Sequence, residues 1–320
     1  MRVLITGITG FAGSHLADVC VAQGVEVWGL AHTPGPHPHL AHLGESIQLY
    51  AANITNEVGM NTALADIAPD WIFHLAAQAH VPTAWSNPAE TLATNILGQL
   101  NVILAMQEHV PAARLLVVSS SHVYGMVEEH DQPVNESTPL RPADPYAVSK
   151  VAQDMLALQY WQSHGLPIVR VRPFNHIGPR QAPDYVVARF AREIAQMETG
   201  LVAPTLKVGN MTAKRDFCDV RDVARAYWLA LEKGTPGAVY TIGSGTARSI
   251  DEMLQILLRL ARVNIEVETD PALFRPGDLP VLQSDPRAFE EQTGWRAAIP
   301  LEQTLEDTLN YWRDQVRAAS

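Results

Sequence analysis

Cysteine is almost missing: Cys20 and Cys218 are the two in 320 residues, too few for a disulfide framework and without the paired spacing of a cysteine zinc site. Positive charge is scarce too. Lysine and arginine total 23 against 34 acidic residues, a formal charge of -11, and no basic run occurs that could release counterions from a polyanion. Nucleic acid is excluded as a partner. Residues 71–89 and 91–107 hold no aspartate, glutamate, lysine or arginine, but Pro82, Asn87, Pro88, Asn95, Gln99 and Asn101 interrupt them too often for a lipid span. No membrane segment is expected. Met1-Arg2-Val3-Leu4-Ile5 already reads as a strand, so no signal or transit peptide is expected and the cytoplasm is the anticipated compartment.

What the chain does have is a core, since 47% of its residues are apolar. Val3-Leu4-Ile5, Val25-Glu26-Val27-Trp28, Trp71-Ile72-Phe73-His74-Leu75, Leu115-Leu116-Val117-Val118 and Ile168-Val169-Arg170-Val171 are short apolar runs, each followed by enough chain for a helical crossover. This rhythm predicts an α/β fold, a doubly wound parallel sheet of Rossmann type. After Arg172 prolines punctuate shorter elements, with helices expected over 184–199, 220–231 and 250–260. We therefore expect a dinucleotide-binding domain over 1–172 with a returning segment over 218–244, and a smaller C-terminal substrate-binding lobe from 173–217 and 245–320. The Pro/His-rich stretch 33–39 falls where a loop should follow the second strand.

Gly7-x-x-Gly10-x-x-Gly13 lies between the first strand and a helix start. Glycine suits a tight turn, close approach of backbone to a pyrophosphate, and close helix–strand packing, while the helix amides of Phe11, Ala12 and Gly13 face the anion. Gly7, Gly10, Phe11, Ala12 and Gly13 are thus cofactor candidates. NAD enzymes place an acid at the end of the second strand against the ribose 2′-hydroxyl, and this chain has Leu30-Ala31-His32 there. With nothing to repel a 2′-phosphate, NADP(H) is preferred and NAD(H) is the alternative. His32 is the candidate contact. No metal is expected, because a proline-rich loop fixes no ligand geometry for His32, His37, His39 and His42.

Tyr146 and Lys150 are four apart at the start of an amphipathic run, so on a helix they share a face, where an ammonium can lower the phenol's pKa and hold a ribose. Chance gives on the order of 0.1 such spacings in this composition. Ser120 sits in Val117-Val118-Ser119-Ser120-Ser121-His122, at the C-terminal end of a buried strand where open parallel sheets bind ligands.

Taken together, the glycine turn, His74-Leu75-Ala76-Ala77, Asn95 in Thr-Asn-Ile-Leu-Gly, Ser120, Tyr146-x-x-x-Lys150 and Arg172-Pro-Phe-Asn-His-Ile-Gly-Pro179 resemble the extended short-chain dehydrogenase/reductases that act on nucleotide sugars. Phe174-Asn175-His176, Lys207-Val208-Gly209-Asn210, Arg215-Asp216-Phe217 and Phe274-Arg275-Pro276-Gly277-Asp278 resemble its GDP-mannose branch, which includes GDP-4-keto-6-deoxyhexose reductases and 4,6-dehydratases. The resemblance runs nearly end to end. It implies catalytic roles for Ser120, Tyr146 and Lys150, and cofactor contacts at Asn53, Ile54, Leu75, Ala76 and Ala77. It further implies that Ser121, His122 and Asn175 meet the sugar or diphosphate, Arg215 and Arg275 clamp diphosphate oxygens, Asp278 accepts from ribose hydroxyls, and Lys207 and Val208 lie along guanine and ribose. Asn95 is implied as part of the wall.

One departure separates the activities in that branch. Its dehydratases carry a carboxylate two residues after the catalytic Ser/Thr to remove the C5 proton, and this chain has His122 there. The resemblance therefore implies NAD(P)H-dependent reduction of the C4 ketone of GDP-4-keto-6-deoxy-D-mannose, a GDP-linked deoxyhexose. A dehydratase or 4-epimerase with no net NADPH consumption is the alternative. It also implies a homodimer through a four-helix bundle built from the helices over 91–107 and 146–161.

Overall fold

The computed structural model describes residues 1–33, 35–274 and 279–319. In chain order the first strands are β1 (Arg2–Thr6), β2 (Glu26–Ala31), β3 (Ile47–Ala51), β4 (Trp71–His74), β5 (Arg114–Val118) and β6 (Ile168–Pro173). The connecting helices are α1 (Phe11–Ala22), α2 (Glu57–Ile67), α3 (Val81–Ser86), α4 (Pro88–Leu92), α5 (Gly98–His109) and α6 (Pro145–His164). Beyond β6 follow β7 (Asn175–Ile177), α7 (Val186–Glu198), β8 (Thr205–Val208), β9 (Lys214–Asp219), α8 (Val220–Lys233) and β10 (Val239–Ile242). The chain then adds β11 (Ala247–Ser249), α9 (Ile250–Leu260), β12 (Glu266–Thr269), β13 (Val281–Leu282), α10 (Arg287–Thr293) and α11 (Leu301–Ala319).

Seven strands form one wholly parallel sheet in the order β10-β6-β5-β4-β1-β2-β3. The predicted doubly wound fold is present. Its inner strands are largely apolar because helices cover both faces: α1 and α8 pack with one core that includes Val3, Ile5, Phe73 and Val171, while α2 and α5 pack with another that includes Leu4, Ile72, Leu115 and Ile168. The order of successive strands reverses between β1 and β4, with β2 and β3 added on one side and β5 and β6 on the other, and such a switch opens a crevice at the carboxyl ends of the strands. Smaller sheets, β11-β9-β13 with β7 beside β9, and β12 with β8, sit with α7, α9 and α11 around a further core of Ile194, Phe217, Leu254 and Leu309.

Differences from expectation have local causes. β3 lacks an apolar run because it is the sheet edge and leaves Gln48 and Leu49 exposed. The helix expected over 91–107 is broken by a π turn at Ala93–Leu97. That turn carries the buried Asn95, whose amide donates to Gln78 O (3.0 Å) and Ser149 Oγ (2.8 Å) and whose Oδ1 accepts from Gln78 N (2.8 Å). No described helix is long and apolar enough to cross a membrane, and no described cluster of acidic, cysteine and histidine side chains is arranged to hold a metal.

Two buried histidines make the fold acid-sensitive. Burial lowers His15 to about 4 and His74 to about 3, so both stay neutral in the folded chain while the unfolded chain protonates them near 6.5. The unfolded state binds more protons below that value. Stability is then full above pH 6.5 and falls as pH drops toward 4, by up to about 1.4 kcal/mol per pH unit for each histidine. Urea unfolding across this window is expected to show that slope, and His74→Gln is expected to remove one histidine's share.

Candidate functional site

β1 ends in the glycine turn. Gly7 has φ +73°, where a side chain is strained, and a Cβ there would lie 2.8 Å from Ala76 N. One on Gly13 would lie 2.1 Å from Gly7 O, so α1 can approach β1 this closely only with glycine. Gly10 is the N-cap and offers no side-chain cap, which leaves the first amides of α1 for an outside acceptor. Ala31 ends β2, and His32 follows it, exposed and with no carboxylate beside it in sequence.

Other candidate residues gather at the same edge. Leu75, Ala76 and Ala77 follow β4, with Ala76 N donating to Thr6 Oγ1 (3.1 Å). Asn53 and Ile54 follow β3, but Asn53 Oδ1 is engaged by Thr55 N and Oγ1, and the Ile54 side chain is buried against Gly98. Both are held by their own neighbourhood. Ser120, Ser121 and His122 follow β5, and Ser120 Oγ accepts from His122 N (3.2 Å).

Asp144 starts α6 as an N-cap, accepting from Ala147 N (2.7 Å), with Pro145 at the first helical position. This fixes Tyr146 in the first turn and Lys150 one turn on. The Ser120 side chain is near enough to the Tyr146 phenol to act on its ionisation, and the Lys150 ammonium lies 5.9 Å from the Tyr146 ring centroid while donating to Val118 O (3.0 Å). The sequence-based expectation that the ammonium lowers the phenol's pKa is not met. Burial pushes the phenol up, outweighing the opposite effect of the Ser120 side chain, and burial also pulls Lys150 down to about 7. At neutral pH the phenol therefore carries its proton.

Toward the sugar side, Asn175 lies on β7. Lys207 is exposed on β8, whereas the Val208 side chain is buried in the adjoining core, which leaves its backbone to lie along a ligand. Arg215 on β9 donates from Nη1 to Leu279 O (2.7 Å). Arg275 and Asp278 lie outside the described residues.

Comparison with known proteins matches residues 4–308 to the sequence profile of GDP-mannose 4,6 dehydratase. The chain belongs to that family. Its relatives include GDP-6-deoxy-D-mannose reductase of Pseudomonas aeruginosa, 38% identical over 99% of this chain and 98% of the relative. GDP-mannose 4,6-dehydratase of Vibrio cholerae is 27% identical over 95% of this chain and 91% of the relative. Among solved structures, RMD from Pseudomonas aeruginosa complexed with NADPH matches with a TM-score of 0.85 at 35% identity, over 98% of this chain and 99% of that one.

In this member of the GDP-mannose 4,6 dehydratase family, three site residues escaped the sequence reading. Asp144 Oδ2 lies 3.5 Å from His122 Nδ1, and the His122 ring meets Tyr146 edge-on at 5.6 Å. Tyr185 is close enough to Tyr146 to disfavour its ionisation, and packs edge-on against His80 at 6.4 Å. Asp-Pro directly before Tyr146 was a readable cap signal. Tyr185 and His80 carry no signal short of the fold.

Proposed function

We propose that this chain is an NADPH-dependent reductase that converts GDP-4-keto-6-deoxy-D-mannose to GDP-D-rhamnose, GDP-6-deoxy-D-mannose, by reducing its C4 ketone. The observation that carries reduction over elimination is His122, an imidazole where C5-proton removal uses a carboxylate. The 38% relative named as a reductase, against 27% for a dehydratase, supports it.

The residues present fit a dinucleotide. A glycine-lined hollow and uncapped α1 amides suit its pyrophosphate, the absence of an acid after β2 suits a 2′-phosphate near His32 and so NADP(H) over NAD(H), and Lys150 suits a ribose hydroxyl. When bound, reduced nicotinamide supplies the hydride. Ser120 polarises the ketone by hydrogen bonding, and Tyr146, protonated at neutral pH, gives its proton to the forming alkoxide. Lys150 holds α6 to the end of β5 through Val118 O. Asn175, Lys207 and Arg215, with Arg275 and Asp278, bind the GDP portion and orient the ring.

We assign the dinucleotide to 1–172 with 218–244 and the nucleotide sugar to the remainder. A homodimer is part of the same reading. Val148 and Met155, seven apart on α6, and Leu97 at the end of the π turn before α5 are exposed apolar side chains on the segments proposed for a four-helix bundle. A reducing cytoplasm suits the free, buried Cys20 and Cys218.

The test supplies GDP-4-keto-6-deoxy-D-mannose and follows NADPH absorbance. One NADPH oxidised per sugar consumed is expected. Conversion of GDP-mannose to its keto sugar with no net NADPH oxidation would show the dehydratase reading to be correct instead.

A further inference from the structure

The glycine turn is joined to β7 by a stack of rings. The His176 imidazole lies on the Phe11 ring, centroids 5.8 Å apart and planes within 11°, and His15 meets Phe11 edge-on at 5.8 Å. The same segment grips α1 twice more. His15 Nε2 lies 2.9 Å from Pro179 O, and Arg180 Nη1 reaches Asp18 Oδ2 at 2.9 Å and Ser14 Oγ at 3.3 Å. Arg180 does so from φ +74°, a left-handed conformation that a non-glycine residue holds only when its surroundings impose it. Residues 11, 14–15 and 18 fall on successive turns of α1, so the whole first half of the helix is clasped.

His176 is fixed at both ends of its own residue. Its Nδ1 lies 3.1 Å from Phe174 O, which can only accept, so the ring places its proton there and Nε2 is left as an acceptor. Its carbonyl accepts from Gln181 Nε2 at 3.0 Å. A shift of the ring must therefore carry the backbone of β7 with it. Asn175 is the preceding residue, pointing to the opposite face of the strand.

We propose that His176 is a positioning residue that couples occupancy of the glycine turn to the placement of Asn175 in the sugar site. The inference rests on the reading above that these are the dinucleotide and nucleotide-sugar sites. An anion on the amides of Phe11, Ala12 and Gly13 fixes the first turn of α1. Phe11 then holds His176, and the hydrogen bonds at Phe174 and Gln181 hold Asn175. The ordering is done before the sugar arrives, and linkage makes the effect reciprocal.

Calorimetry with GDP-mannose as probe, with and without saturating NADP+, reads the coupling directly and needs no turnover. The native chain is expected to bind GDP-mannose about tenfold more tightly with NADP+ present. His176→Ala should bring that ratio to within about twofold, and Phe11→Leu, which removes the other half of the stack, should do the same if the alanine variant does not fold. His176→Phe keeps a stacking ring and should restore most of it. Native coupling in His176→Ala or in Phe11→Leu, or a native chain that binds both ligands independently, overturns the proposal alone. A native chain that binds neither ligand overturns the functional reading and the proposal with it.

Discussion

Tyr146→Phe is expected to lower kcat by about 10²–10⁴-fold, the range for loss of a positioned general acid, while NADPH affinity measured by fluorescence stays within about threefold. The two readouts separate because the substitution removes one hydroxyl and little else. Phe preserves the edge-on packing against His122, and α6 keeps its Asp144 cap and Pro145 start. The Lys150 contact with Val118 O does not pass through the phenol. What disappears is the proton donor beside Ser120. The direction of the raised phenol pKa favours this role: a tyrosine that burial keeps protonated is ready to give a proton to an alkoxide, and would have to lose one first to work as a base. A Tyr146→Phe variant with kcat within tenfold of native would transfer the proton to another group, and His122 beside Asp144 is the neighbouring titratable pair.

The placement of Tyr146 with Lys150, and of the glycine turn, was legible because each is a local pattern. Glycines spaced for a tight turn, and a tyrosine and lysine one helical turn apart, need no tertiary partner to be recognised. The five buried strands were legible for a similar reason, since helices on both faces demand uninterrupted apolar runs. β3 was not, because Ile47-Gln48-Leu49-Tyr50-Ala51 is an edge strand with exposed side chains and reads as neither alternation nor a run. The strands beyond β6 span two to six residues and are defined by pairing between distant segments, as where β9 meets β7, β11 and β13. The His15–Phe11–His176 stack joins positions more than 160 residues apart, and neither histidine has a sequence neighbour that announces it.

Asp154→Ala is expected to cost about 3–5 kcal/mol of stability. Arg170 and Arg172 sit two apart on β6, so both point to the face that α6 covers. In sequence they look like charges interrupting a buried strand. Asp154, wholly buried on α6, receives Arg170 Nη1 at 2.6 Å and Arg172 Nε at 2.7 Å. Arg172 also donates to Glu136 O (3.2 Å) and stacks over Tyr124 at 5.4 Å, and Arg170 donates to Gly237 O (2.8 Å). None of these neutral partners replaces a counter-charge. A buried pair adds little relative to well-packed apolar residues, but removing one member leaves the other charge desolvated and unpaired. Here one deletion strands two guanidiniums. With a typical total stability of about 5–15 kcal/mol, much of the fold's margin would go. Asp154 also lies one helical turn beyond Lys150 on the same face, so the helix that carries the proton donor is anchored to the sheet at this point. Urea unfolding of Asp154→Ala and of Asp154→Asn, which keeps an acceptor oxygen but not the charge, should place asparagine between native and alanine. A loss below about 1 kcal/mol in the alanine variant would mean that water reaches the two arginines and that the anchor is not electrostatic.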